Sequence, residues 1–239
     1  EVIVAIDGDF EALAGFRPAE ELVELLDALG VDDPDIARLR AGLLGGDAGS
    51  AIASFVGALL AGDVGGAAAL IAAAQTRGVP RFADDLAALQ RIEGAYPGDP
   101  GVVVALLMNR IVLAEGDALF VPAGMPHAYL RGLGVEIMAA SDNVLRGGLT
   151  PKHVDVPELL RVLDTHPGRV ALLAPELEAP GVELFAPPVP DFSLARVVRE
   201  AATEPETSVQ LVGPAIAVAT RGRPMLHGGG GSLALTPGS

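Results

Sequence analysis

The chain has 239 residues, half of them apolar and only 4% aromatic, with no cysteine and a formal net charge of −15. That length carries one large domain or two modest ones with aliphatic cores, and the lack of cysteine excludes a disulfide frame or thiolate metal site. The acidic balance argues against a nucleic-acid or anionic-membrane surface, which needs clustered Lys and Arg, while a local basic cluster still suffices for one small anion.

The first residues, EVIVAIDGDF, lack the basic start and apolar run of a signal peptide. Together with the missing cysteines they fit a cytoplasmic protein. Residues 1–16 read as one strand and a turn, VIVAI followed by DGDF. FRPAEEL opens a helix: Pro18 sits where proline is tolerated, and Glu20 and Glu21 favour that helix end. Leu22, Val23, Leu25, Leu26 and Leu29 keep helical spacing until Gly30. Asp32, Asp33 and Pro34 begin a second helix, with Ile36, Leu39, Leu43 and Leu44 on one face. The run from Ala51 to Ala74 has the length of a membrane span, but Asp63 and several glycines interrupt it, and it reads as buried helices. RFADDLAALQRI adds one more helix, and the PGDPG turn precedes a short buried helix through VVVALLMN.

From Arg110 the pattern changes to short runs bounded by Gly and Pro. RIVLAEGDALFVPAG and AYLRGLGVEIMAA read as hairpins of an antiparallel sheet. VPELLRVLD is a helix with Pro157 at its start. VALLAPELEA, VELFAPPVPDFSLARVVRE and SVQLVGPAIAVATRGRPMLHGGGGSLALT then give short strands at the regular spacing of a sandwich or jelly roll. GGGGS, lying between two strand-like runs, reads as a hairpin loop rather than a linker.

The spacing Gly116-x5-Pro122-x-Gly124-x2-His127 starts a strand at a Gly turn, ends it with Pro and Gly, and places His127 on the next strand. It matches the second half of the cupin metal signature, and imidazole suits Zn, Fe, Mn or Ni. The usual first half is absent. A metal ligand and a lone histidine satisfied in a sheet core both fit the spacing. Strand alternation puts Tyr129 on the face of His127.

PHAYL, SDNVLRGGLTPK (residues 141–152) and FEALAGFRP (residues 10–18) together resemble the type I phosphomannose isomerase family. PGDPGVVVALLMNRIVLAEGDALFVPAGMPHAYL follows the same family pattern. The resemblance is strong from Glu1 to about Pro157 and weaker but collinear to Ser239. It implies a mainly β protein of two cupin jelly-roll barrels with an α-helical insertion. The expected division is 1–17 as the end of an N-terminal catalytic cupin segment, 18–95 helical, 96–156 catalytic cupin β region, and 157–239 a second cupin-like β domain.

The resemblance also implies a Zn2+-dependent aldose–ketose isomerase that interconverts mannose 6-phosphate and fructose 6-phosphate through an enediol, feeding GDP-mannose synthesis. In that family zinc is held by a Gln and a His on one strand, a Glu after a His-Lys-Pro run, and the His of Pro-His-Ala-Tyr. Here the last two are Glu1 and His127. The chain opens with Glu1 rather than Met and ends in GSLALTPGS, a strand and turn with nothing to pair after it, so a fragment cut at both ends is expected. The other two ligands are expected upstream of Glu1, so the fragment is expected to be metal-poor and inactive by itself, since zinc sites use at least three protein ligands. Arg146 falls at the family's catalytic arginine; a surface ion pair with Asp142 is the other reading. Lys152 fits phosphate binding, proton transfer, or a solvated surface lysine. Glu136 fits an acid/base group or a partner that fixes Arg146, and Asp142 fits the same roles. His153 is expected exposed, His166 in a turn and His227 structural. The expected partner is a small sugar phosphate, with no nucleic acid, no membrane and a monomeric parent of bacterial type. The rival reading is a cupin module that binds a sugar phosphate without turning it over.

Overall fold

The computed structural model describes residues 1–141, 144–199, 209–210, 213–228 and 230–238. Two compact units divide the chain, Glu1–Leu173 and Ala174–Ser239.

The first unit opens with two strands, β1 (Val2–Ala5) and β2 (Phe10–Phe16). The sequence pattern predicts only the first. Every residue of FEALAGF is buried, so the alternation that marks a half-exposed strand is missing, and Ala and Glu carry little strand preference. Helices follow: α1 (Ala19–Leu29), α2 (Pro34–Leu44), α3 (Ala48–Leu60), α4 (Ala67–Thr76), a 3-10 turn at Pro80–Phe82, α5 (Ala83–Ala95) and α6 (Gly101–Leu107). Their limits have local causes. Gly30 caps α1 at φ 52°, a left-handed conformation that glycine adopts cheaply. Asp33 accepts from the Asp35 and Ile36 amides ahead of Pro34, and Asp47 accepts from Ser50 N. No helix among the described residues is long and apolar enough to cross a membrane.

The chain then returns through β3 (Met108–Leu113), β4 (Ala118–Phe120), β5 (His127–Arg131) and β6 (Gly134–Ile137), and ends in α7 (Val156–Val162), capped by Asp155. The expected hairpins do not form. β3 and β5 flank β2 in one antiparallel sheet, while β4 and β6 flank β1 in another. Each Gly-bounded connection crosses between sheets, because β1 and β2 already occupy the pairing positions. Among the described residues helix exceeds strand, so "mainly β" is corrected to a mixed architecture; both sheets of this unit are three-stranded, and no closed barrel is seen among those residues.

Two cores lie on the two faces of β2. Ile3, Ala5, Phe10, Ala12, Ala14, Leu113, Leu119 and Val121 fill the inner one between the sheets. Leu13 and Phe16 look outward into the larger core of α1–α6. Arg17 ties these layers: its Nε donates to Leu106 O at 3.2 Å and its Nη2 to Asp85 Oδ1 at 2.6 Å. Glu11 on the outer face is the buried carboxylate among the described residues, fully enclosed, with Arg110 Nε on one oxygen at 2.5 Å and Arg91 Nη2 and Arg131 Nε on the other at 2.5 and 3.0 Å. A bulge at Gly15 breaks the β2–β3 register, and Asn109 fills it: its Nδ2 lies 2.9–3.3 Å from the carbonyl oxygens of Ala14, Gly15, Phe16 and Gly168.

The second unit holds a three-stranded antiparallel sheet, β7 (Glu176–Ala179), β8 (Val182–Phe185) and β9 (Leu194–Val197), and a hairpin of β10 (Met225–Gly228) with β11 (Gly231–Ala234). The apolar run before Pro175 is not a strand, and Ile216 in PAIAVAT is 95% exposed.

Burial raises the Glu11 carboxyl, but the hydrogen bond and charge of Arg110, with Arg91, bring it below the ordinary carboxylate range. A lowered folded-state value means that this group adds stability above its unfolded value, near pH 4.3, and loses it as pH falls through the folded one. Glu11→Gln is expected to cost about 3 kcal/mol, the low end for breaking a buried pair because two of the arginines reach solvent. Urea titrations from pH 7 to 3 check this: the variant's loss should shrink toward acid pH.

Candidate functional site

The inner core leaves polar side chains at one end of the space between the sheets. Glu1 is held there by its backbone: its ammonium donates to Val121 O at 2.9 Å, and Val121 N donates to Glu1 O at 2.9 Å. β1 thus starts under the end of β4. His127 is aimed by the preceding turn. Gly124 at φ 85° packs against the end of α7, where an added Cβ would meet Val162 O at 2.7 Å. Gly15 N donates to Pro126 O at 2.9 Å, so the bulge that Asn109 fills also fixes the residue before His127. His127 and Tyr129 pair with Ala14 and Ala12, which places both on the inner face.

His127 Nε2 lies 2.5 Å from Glu1 Oε1. Its Nδ1 lies 3.3 Å from Met125 O; a carbonyl only accepts, so Nδ1 carries a proton. Nε2 then faces the carboxylate. Glu1 Oε1 is buried and makes no aligned hydrogen bond. Two such lone-pair-bearing acceptors face each other stably only with a proton or a cation between them. The pair itself supports protonation, with the Glu1 contact the main cause: His127 is raised above its ordinary value and Glu1 lowered. The donor set, one imidazole and one carboxylate, suits a zinc ion. Among the described residues no group of three or more His, Cys, Asp or Glu gathers for a metal.

Glu136 stands opposite Ile3 on β6, which brings it to the same space. Tyr129 OH donates to Glu136 Oε1 at 2.6 Å. The Tyr129 ring meets Phe10 edge-on, centroids 5.4 Å apart, and lies 5.7 Å from the His127 ring. Burial, then the Glu136 carboxylate, push the phenol far above its ordinary range, so Tyr129 stays a hydrogen-bond donor. Glu1, His127, Tyr129 and Glu136 therefore come together as a unit.

Arg146 and Lys152 do not join it by contact. Arg146 is half-buried on the coil after β6, and Lys152 is exposed at a turn where its backbone N donates to Thr150 Oγ1 at 3.1 Å. No hydrogen bond or ion pair links either to the other four among the described residues. Their loop is anchored at its far side: Asp99 Oδ1 accepts from Gly101 N at 2.7 Å and from Leu149 N at 3.1 Å. Asp142 lies outside the described residues. His153 is exposed, as is His166, bonded to Asp164 after α7. His227 sits on the β10–β11 hairpin with Nδ1 2.7 Å from Ser232 Oγ. Sequence reasoning missed the pairing of Tyr129 with Glu136, and it assigned no role to Glu11; the signal for Glu11 was a lone carboxylate inside the apolar FEALAGF.

No family model matches the chain. It is similar to the mannose-6-phosphate isomerase of Escherichia coli, 34% identical over 232 residues, covering 96% of this chain and 57% of that protein. The rat mannose-6-phosphate isomerase is 33% identical over 208 residues, covering 79% of this chain and 49% of its own length. Crystal structures of phosphomannose isomerase mutants from Salmonella typhimurium superpose with a TM-score of 0.76 at 27% identity, across 99% of this chain and 59% of theirs. The chain spans about half the length of the curated relatives it matches.

In the metal-free chain His127 should titrate above 6.5, the ordinary histidine value. The raised value means that the pairing adds stability below the unfolded value and loses it as pH rises through the folded one. Glu1→Gln should bring the His127 midpoint down, as read by 15N-detected imidazole shifts; an unmoved midpoint would show that Glu1 does not set it.

Proposed function

We propose that this chain, a relative of the mannose-6-phosphate isomerases over about half their length, belongs to an aldose–ketose isomerase that interconverts mannose 6-phosphate and fructose 6-phosphate. The observation that carries the reading is the convergence of Glu1, His127, Tyr129 and Glu136 from two facing sheets on one end of the space between them, in a chain similar to those enzymes along nearly its whole length. The sheets of β1–β6 are read as part of a cupin jelly roll, and GDP-mannose synthesis as the route the product feeds.

Isomerisation moves a proton between the C1 and C2 carbons of the sugar and needs a proton carrier, stabilisation of the developing enediolate oxygens, and an anchor for the phosphate. Glu1 and His127 would hold a zinc ion, with further ligands from outside this chain; zinc supplies orientation and polarisation of the sugar oxygens. Glu136 is the proton carrier in this reading. Its carboxylate is held by Tyr129 rather than by an arginine, so it keeps one oxygen for the substrate. Tyr129, locked as a donor, orients Glu136 and can hydrogen-bond a sugar hydroxyl. Arg146 brings a planar, permanently charged fork to two oxygens at once, suited to the enediolate. Lys152, exposed on a mobile stem, suits the phosphate.

The test is turnover of mannose 6-phosphate by the full-length gene product containing these residues, before and after chelation and zinc return. Turnover that vanishes with the metal and returns with zinc supports the reading. A folded, zinc-loaded protein that binds the sugar phosphate without isomerising it supports the binding module instead. Arg146→Ala should lower kcat about a hundredfold with zinc content unchanged; unaltered turnover would remove Arg146 from the mechanism.

A further inference from the structure

The outer face of the β3-β2-β5 sheet carries a second polar cluster, turned away from His127. Glu11 and Leu13 point outward there, while Ala12 and Ala14 face the inner core. Arg110 pairs with Leu13 across the β2–β3 ladder and shares its face. Simple alternation would put Arg131 on the inner face with His127 and Tyr129. The register shift at Glu11/Ala12, with an extra residue in β5, turns Arg131 outward to oppose Glu11. Arg91 arrives from α5 to complete the ring.

Three guanidiniums thus surround one carboxylate, leaving a surplus of two positive charges in a chain whose net charge is −15. Each guanidinium has five N–H donors, and each spends one nitrogen on Glu11. Among the described residues no other carboxylate pairs with Arg91, Arg110 or Arg131. Arg91 and Arg131 are 51% and 56% exposed, so their remaining donors face solvent at the sheet–helix seam, whereas Glu11 is fully enclosed beneath them. The lowered Glu11 carboxyl reports the same local positive field. A buried anion that gathers three guanidiniums, two of them half-exposed, is a preformed cradle whose planar, paired donors match a tetrahedral oxyanion.

We propose that Arg91, Arg131 and Arg110, oriented by Glu11, form a binding site for a phosphate-type dianion, separate from the Glu1–His127 centre. The source is either free phosphate or a phosphate monoester. The test titrates the 239-residue chain with inorganic phosphate and, separately, glycerol 3-phosphate, at fixed ionic strength in a calorimeter. Saturable binding is expected, and Arg91→Gln and Arg131→Gln should each weaken it at least tenfold with unchanged far-UV circular dichroism. If one variant fails to fold, the other decides. Tighter binding of the inorganic ion assigns free phosphate, and tighter binding of glycerol 3-phosphate assigns a phosphorylated metabolite; either result supports the site. No saturable binding of either probe overturns it, as does binding that survives both variants and disappears in Arg146→Gln.

Discussion

The structure depends on β2 being buried on both faces. A strand that is central to its sheet, with a second sheet on one side and six helices on the other, has no exposed residue, and its one charged side chain, Glu11, is enclosed by arginines. Ala12 and Ala14 are small enough for the inner sheets to close over them, and Leu13 and Phe16 anchor the helices. Any slip of one residue would exchange these two sets and put Glu11 into the apolar interior of the sandwich. Register is therefore set from both faces at once, and it fixes where His127 and Tyr129 stand.

The helical half was legible in the sequence because its signals are local. Asp33-Pro34 and Gly30 act through hydrogen bonds and backbone angles within a turn, so their meaning does not depend on distant residues. The β half was legible only as strands, not as pairs. RIVLAEGDALFVPAG and AYLRGLGVEIMAA carry ordinary turn chemistry, but partner choice was decided by β1 and β2, about a hundred residues upstream. β2 itself was hidden by its double burial. At the site, His127 could be read from its Gly and Pro spacing and Tyr129 from alternation, whereas Glu1 emerged only through family resemblance. Alternation would have misplaced Arg131, since a bulge is invisible to a period of two.

The two sides of the β3-β2-β5 sheet look onto opposite electrostatic surroundings. The inner end gathers the carboxylates of Glu1 and Glu136 around an imidazole and a phenol, an arrangement that attracts protons and cations. The outer face gathers three guanidiniums around one carboxylate. A net charge describes neither. Strand alternation and the register shift in β5 keep the two groups on opposite sides of the sheet.

Asn109 has a consequence for how long the molecule lasts. Its amide nitrogen sits among four carbonyl oxygens, though the group has only two hydrogens to offer. The place accepts a donor and rejects an acceptor of the same shape. Asparagine slowly hydrolyses to aspartate, and a carboxylate here would face four lone-pair-bearing neighbours with nothing to share. A molecule that ages while unfolded would carry the lesion silently and then fail to close the bulge beside Pro126, so refolding itself would act as the check on chemical damage.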